Sequence, residues 1–389
     1  MITYRLLKAL SDGLYFTVVL CMQGSYREKK GQTFRESEGM LMKQVKAWSG
    51  RFGFLAVIFL LSGCFGNENL SALDPKGPQA QWIYDNMILS LYIMAFVTLV
   101  VFAIFFYIIA KFRRKEGDNE YPKQVHGSTV LEITWTVIPI LLLLVLFVPT
   151  IIGTFDFAES QAPEDVEDAV YIDVTGHQYW WQFDYEEGFT AGQEVYIPTG
   201  ERVYFTLNAT DVIHSFWVPA LGGKIDTVPG IENTLWLEAD EPGTYMGKCA
   251  ELCGPSHALM DFKLIALERD DYDQWVEDMA AKADVEQPED SSVQQGYEVF
   301  QENCISCHAV SGPGSASGPT LTNFGDRNTI AGYLDNTDEQ LKAWIRNPDD
   351  FKQGNNMVPF PESEISDDEM DSLVAYLRSL NVRDGENAE

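Results

Sequence analysis

Two long apolar runs, over residues 87–110 and 130–153, dominate the first half of the chain, and the second contains Glu132 near its start and Pro139. Each is long enough to cross a bilayer core of about 30 Å as a helix. The basic cluster Lys111-Phe-Arg-Arg-Lys115 lies between them. Such clusters stay on the cytoplasmic side, so the pattern predicts a transmembrane hairpin over 87–153 with both open ends facing outward. From residue 170 to 268 the period shortens to two. Val203, Phe205 and Leu207 alternate with Arg202, Tyr204 and Thr206, as in a strand with one buried face. Similar short segments at 170–175, 179–185, 234–238 and 261–267, punctuated by Gly, Pro and Asn, predict an all-β sandwich or barrel. Beyond it the period returns to helical. Tyr272, Trp275, Val276 and Met279 share one face over 270–283, and Val293, Tyr297 and Phe300 share one over 293–303. Thr337 and Gln340 cap a helix with Leu341, Trp344 and Ile345 inward, stopped by Pro348. Ser366 and Glu369 form a capping box for a terminal helix with Leu373, Val374, Leu377 and Leu380 on one stripe.

Charge divides the chain in the same places. The net charge is −31, but residues 1–152 carry 15 basic and 11 acidic side chains (+4), residues 153–283 carry 6 and 26 (−20), and residues 284–389 carry 6 and 21 (−15). An acidic outer half excludes nucleic acid as a partner. It suits a basic protein partner, a high-salt milieu, or simple solvation. Near the N-terminus, Lys43, Lys46 and Arg51 precede an apolar stretch at 52–61 and the sequence Leu61-Ser-Gly-Cys64. That is the pattern of a signal peptide over 40–63 ending in a lipobox, with Cys64 as the lipidated residue. Signal peptides begin chains, so residues 1–39 read as a mis-called extension ahead of a start at Met40 or Met42. A lipid on Cys64 belongs on the outer side, where the hairpin also points.

Two stretches carry chemistry. Cys249-Ala-Glu-Leu-Cys-Gly-Pro-Ser-His-Ala-Leu-Met260 packs two thiols, an imidazole, a thioether and a carboxylate into one loop. Soft sulfur and imidazole select copper or zinc. Two thiols that each can bridge suit a pair of copper ions; a closed Cys/His zinc site is the alternative, and it leaves Met260 without a role. His214, in Asp211-Val-Ile-His-Ser-Phe-Trp-Val-Pro219, offers a second imidazole from another strand end, the way a cupredoxin barrel builds a metal site. The second stretch is Cys304-Ile-Ser-Cys307-His308. C-x-x-C-H attaches a c-type haem through both thiols and ligates its iron with the histidine. Only Met357 and Met370 follow it. Met370 is explained as the packing partner of Ile365 across the capping box, which leaves Met357 as the axial ligand. Glu132 reads equally as an interfacial carboxylate and as a proton-uptake group.

With these motifs in place, residues 40–383 resemble subunit II of the haem–copper cytochrome c oxidases, in the bacterial form with a cytochrome c domain fused at the C-terminus. Leu131-Glu-Ile-Thr-Trp-Thr-Val-Ile-Pro139, Gly176-His-Gln-Tyr-Trp-Trp-Gln-Phe-Asp-Tyr185 and Leu221-Gly-Gly-Lys-Ile-Asp-Thr-Val-Pro-Gly230 carry the likeness. The resemblance implies a multidomain chain. Its parts are an external segment at 64–86, the hairpin, a cupredoxin domain at 154–268, a helix and linker at 269–290, an all-α cytochrome c domain at 291–383 and an acidic tail at 384–389. It implies that His214, Cys249, Cys253, His257 and Met260 hold a binuclear copper A centre with the Glu251 carbonyl. The Glu251 side chain would then reach a magnesium ion at the subunit I interface, and Glu132 would feed a proton channel of subunit I. Cys304, Cys307, His308 and Met357 would hold haem c, with Gly318-Pro319 as the turn that orients His308. Electrons would pass from a cytochrome c-type donor through haem c and copper A to the oxygen-reducing centre of subunit I, at the outer face of a bacterial plasma membrane. Two further readings remain, a copper A component of a nitric or nitrous oxide reductase and a membrane-anchored electron or copper carrier without enzymatic activity. The family's aromatic stretch begins His-Gln-Trp-Tyr-Trp, its first Trp receiving electrons from soluble cytochrome c. Here that position is Tyr179, followed by Trp180 and Trp181, and His177 just before them reads as structural.

Overall fold

Two helices, α1 (Pro78–Lys111) and α2 (Thr129–Phe157), carry the apolar runs and extend past them. The computed structural model describes residues 68–113, 117, 127–158, 169–282, 288, 291–315 and 317–382. The expected extension at 1–39, signal peptide at 40–63, Cys64 and tail at 384–389 lie outside the described residues. Helix α1 starts nine positions before its apolar run, with a proline in its first turn, where the missing N–H costs nothing. Its opening turns are not lipid-facing: Gln79 and Ala80 are buried against the β-domain. The Gln79 amide donates to the Trp236 carbonyl at 3.1 Å and accepts from the Gly223 N–H at 2.8 Å. Lys76 N–H and Ala80 N–H donate to the Ala220 and Leu221 carbonyls. At the end of α2 the Trp236 indole donates to the Asp156 carbonyl at 3.0 Å, and the Arg202 guanidinium covers the Trp236 ring at 4.0 Å. Periodicity shows where a helix is apolar; these polar contacts decide where it stops. Further along, Thr134, Thr136, Thr150 and Thr154 each return a hydroxyl to the carbonyl four residues back, so these four donors are satisfied within α2. The apolar windows of α1 and α2 are 0 % and 6 % buried within the chain, leaving both surfaces for lipid or for other subunits.

The β-domain is two five-stranded sheets face to face, in the orders β3-β2-β1-β5-β8 and β4-β10-β9-β6-β7. The strands of the first are β1 (Val170–His177), β2 (Trp180–Tyr185), β3 (Thr190–Gly192), β5 (Val203–Ala209) and β8 (Asn233–Leu237). Those of the second are β4 (Glu194–Pro198), β6 (His214–Trp217), β7 (Ile225–Thr227), β9 (Gly243–Cys249) and β10 (Asp261–Leu267). Pairing is antiparallel except for β1 with β5 and β4 with β10. Trp181, Phe183, Phe205, Phe216 and Phe262, all at most 1 % exposed, fill the space between the sheets. Phe216 and Phe262 stack at 4.6 Å, and Gly247 lacks the Cβ that would strike the Phe262 ring. This rigid aromatic filling anchors both strand ends that frame the Cys249 loop. Helix α3 (Arg269–Ala281) closes the bottom with Tyr272, Trp275 and Met279 buried.

The C-terminal domain packs α4 (Ser291–Asn303), α5 (Asp338–Arg346) and α6 (Asp367–Ser379) around Phe300, Leu341, Met370 and Leu373. Thr337 caps α5, and Ser366 with Glu369 closes a complete capping box on α6. The helical reading misses one piece, a small hairpin of β11 (Thr329–Ile330) and β12 (Leu334–Asp335). Two-residue strands fall below any periodicity signal. Its turn glycine, Gly332, lies so close to the Asp261 carbonyl of β10 that a Cβ there would overlap it. The hairpin is thus where this domain meets the barrel. Helices α4 and α6 cross at Gly296, whose missing Cβ would overlap the Ser372 carbonyl. Backbone cannot rotate aside as a side chain can. Gly296→Ala is therefore expected to destabilise this domain by about 2 kcal/mol despite a gain of ~1 kcal/mol in helix propensity. Calorimetry of the purified protein checks this by a lowered transition for the C-terminal domain.

Candidate functional site

His214 opens β6, Cys249 ends β9 and Met260 immediately precedes β10, so three strand ends of one sheet frame the loop that carries Cys253 and His257. The antiparallel ladders pairing Phe216 with Cys249, and Asp261 with Lys248, set these ends side by side. Cys249 Sγ lies 3.8 Å from Cys253 Sγ, and 4.0 Å from His214 Nδ1. Cys253 Sγ lies 3.7 Å from His257 Nδ1 and 3.8 Å from Met260 Sδ. The Glu251 carbonyl oxygen is 3.2 Å from Cys249 Sγ, while the Glu251 side chain is exposed. His214, Cys249, Cys253 and Met260 are all buried. Among the described residues, His214, Cys249 and Cys253 form the metal-competent cluster, with ligand atoms within 4.8 Å of one another. Contact with the Cys253 thiol holds Cys249 far below the ordinary thiol range, and the same contact, with burial, pushes Cys253 up.

This donor set fits two copper ions. Two adjacent sulfurs can bridge, an imidazole stands beside each, and a thioether and a carbonyl complete the ring. A single tetrahedral zinc would leave two of six donors unused.

Asp211 organises the outer side of this cluster and escaped the sequence reading. Its carboxylate accepts from His214 Nε2 at 2.8 Å and from the N–H groups of Val212 at 2.6 Å and Gln178 at 2.7 Å. Burial pushes its pKa up, but these hydrogen bonds win and hold it below the usual carboxylate range. With Nε2 engaged, Nδ1 of His214 is turned to the sulfurs. The signal was present in the three-residue spacing of Asp211 and His214, but nothing in a sequence distinguishes it from a loop aspartate. His177 serves differently. Its ring stacks on Trp180 at 4.0 Å and its Nδ1 pairs with the Thr210 hydroxyl, away from the sulfurs.

The C-terminal domain holds a cavity lined by Cys304, Cys307, His308 and Met357. His308 Nδ1–H donates to the Pro319 carbonyl at 2.8 Å, so Nε2 is the free ligand atom, and burial lowers the pKa of this imidazole towards the neutral form a metal needs. Met357 is half-buried at the cavity; Met370 is 1 % exposed inside the helical core and lines no part of it. The remaining walls include Phe300, Leu341, Leu373 and Leu377, an apolar lining that fits a macrocycle with two thioether links at one edge. One wall was not foreseen. Gln178, Tyr179, Trp180 and Gln193 of the β-domain close the same cavity. Glu132 is exposed in the first turn of α2, far along the chain from either site.

Three family models match successive parts of the chain. They describe the cytochrome c oxidase subunit II transmembrane domain (residues 71–152), the cytochrome c oxidase subunit II periplasmic domain (189–267) and cytochrome c (293–381). Cytochrome c oxidase subunit 2 of Alkalihalophilus pseudofirmus is 67 % identical over 344 residues, which span 87 % of this chain and 99 % of that one. The chain belongs to the cytochrome c oxidase subunit II family. The homologous subunit of Bacillus subtilis is 44 % identical over 358 residues, covering 87 % of this chain and 99 % of that one. Quinol oxidase subunit 2 of Bacillus cereus is 34 % identical over 233 residues, covering 59 % of this chain and 79 % of that one. This subunit II is a membrane-anchored component of a haem–copper oxidase. The subunit II copper-domain match over 189–267 implies copper A and the cytochrome c match over 293–381 implies haem c.

Proposed function

We propose that this subunit takes electrons from a cytochrome c-type donor into haem c, held by Cys304, Cys307, His308 and Met357. They pass to copper A, held by His214, Cys249, Cys253, His257, Met260 and the Glu251 carbonyl, and on to the haem–copper centre of subunit I. When bound, each group stores and releases one electron. This chain's residues hold the groups rigidly, exclude water from the sulfurs and bring the two sites together. The observation that carries the reading is the convergence of two imidazoles and a thioether, those of His214, His257 and Met260, on the Cys249–Cys253 pair, with the haem-motif cavity walled by the same domain. The copper domain is taken over 154–268 and the cytochrome c domain over 291–383, with the last turn of α2, to Phe157, running into the first of these limits. Both lie on the outer face, opposite the basic cluster at 111–115. Cys64 is the lipid anchor. Glu132 is the proton-uptake carboxylate, supported by its place in the first turn of α2. The exposed Glu251 carboxylate would hold magnesium against subunit I.

A visible and near-infrared spectrum of the purified membrane complex tests the reading, and absence of either the copper A or the haem c signature overturns it. The donor is expected to be basic, because the cytochrome c portion carries a net −15 over residues 284–389. Turnover with such a donor should fall steeply as ionic strength rises; a flat response removes the acidic face from docking.

A further inference from the structure

Lys352 is 2 % exposed and lies between the two redox domains. Its ammonium donates to the Tyr179 carbonyl at 2.8 Å and stands 5.9 Å from the Tyr333 ring. Burial pushes its pKa down to about 7, with the charges of Asp261 and Cys253 opposing the shift. A buried ammonium is among the most expensive side chains to place, so its position calls for a purpose beyond packing.

The hydrogen bonds on either side of Lys352 form one continuous chain. On the copper side, the Tyr179 peptide follows Gln178, whose side-chain amide donates to the Cys253 carbonyl at 2.5 Å. The Gln178 N–H donates to Asp211, which accepts from His214. On the haem side, Asn355 Nδ2 donates to the Lys352 carbonyl at 2.6 Å, and Asn355 Oδ1 accepts the Met357 N–H at 2.9 Å. Gly354, at φ 75°, makes the tight bend that brings Asn355 back onto Lys352. The Ser256 hydroxyl, next to His257, donates to the Gln353 carbonyl at 2.9 Å and holds the same loop from below. The loop bearing Met357 is thereby fastened to the loop bearing Cys253 and His257.

We propose that Lys352 is a positioning residue for electron transfer between haem c and copper A, closing across the domain boundary the bonded chain His214–Asp211–Gln178–Tyr179–Lys352–Asn355–Met357. The inference rests on the site assignments above. The step served moves one electron from ferrous haem c, which becomes ferric, to oxidised copper A, which becomes reduced; no bond to this chain forms or breaks. Rate in such a step depends on separation and on continuity of the intervening contacts, so a clamp that fixes both sets the rate.

The test uses the purified oxidase with Lys352→Met, which removes the donor but relieves the buried charge and so favours folding. Haem c and copper A spectra should be retained. Transfer from photoreduced haem c to copper A should slow about tenfold to a hundredfold, the scale on which ångström displacements act, and the amides of Gln178 to Trp181 should exchange faster with solvent. Lys352→Arg, which still donates, should restore the rate. If Lys352→Met loses its haem, Asn355→Ala cuts the same chain without touching the buried cation and should slow the transfer alike. An unchanged rate in whichever of Lys352→Met and Asn355→Ala retains both spectra, or a loss that arginine does not reverse, overturns the proposal. Missing copper or haem signatures in the unaltered protein overturn the site assignments instead.

Discussion

Cys253→Ser is expected to abolish the copper A signal while leaving the haem c spectrum intact. Cys253 is the residue from which the cluster radiates: Cys249 Sγ, His257 Nδ1 and Met260 Sδ all stand within 3.8 Å of its sulfur. A serine hydroxyl ionises only far above neutral pH and its oxygen is a hard ligand, so serine offers no soft anionic bridge in its place. What remains around Cys249 is one thiolate beside His214, a set that suits a mononuclear ion at most. The fold should hold, because the exchange is nearly isosteric and the aromatic filling beneath the loop is untouched. The measurement is electron paramagnetic resonance with a copper count per haem. Survival of the mixed-valence signal at full copper content would refute the binuclear assignment. Thermal unfolding close to the parent value separates loss of ligand from loss of structure.

Met357→Ala and Met370→Ala should divide cleanly. Met357 sits at the cavity that Cys304, Cys307 and His308 line, on a braced loop outside any helix, so alanine there removes a ligand atom and little core. The haem should pass from low spin to an altered coordination and its potential should fall, because a thioether axial ligand favours the reduced iron. Met370 lies within α6 against Ile365 and Leu373 in the domain core. Its truncation leaves a cavity and should cost about 2–5 kcal/mol with the spectrum of the folded protein unchanged. A spectral change in the second variant with none in the first would reverse the assignment.

Much of this was legible because the chemistry is local. The C-x-x-C-H motif and the Cys249 to Met260 loop keep their ligands within a few residues, and Ser366 with Glu369 announces its helix start directly. The strand over Val203, Phe205 and Leu207 also followed from simple alternation, since one face of it is the barrel core. What escaped is what joins elements distant in sequence. Gln79, buried in a helix expected to begin later, is explained only by the Trp236 carbonyl and Gly223 N–H it meets. Buried Glu194, Lys263 and Arg327 look like solvated charges in the sequence, yet Glu194 and Lys263 pair at 3.9 Å while Arg327 sits among Asn323 and Thr320 acceptors. Lys352 is the extreme case, one lysine in a polar loop whose partner is a carbonyl 173 positions away. Periodicity reports which face is buried; it carries no information about which polar groups a second domain will cover.

Tyr179 is 4 % exposed, sealed beneath the chain's own C-terminal domain. Where a dissolved donor must diffuse, collide and reorient for every electron, a tethered one stays at a fixed effective concentration set by its linkage. Reduction of copper A from haem c therefore becomes a first-order event, independent of how dilute the protein is and insensitive to added salt. Salt sensitivity then resides wholly in the earlier, bimolecular loading of the haem. Acidity on the outer domain can thus be tuned to the donor and the medium without altering the internal handover.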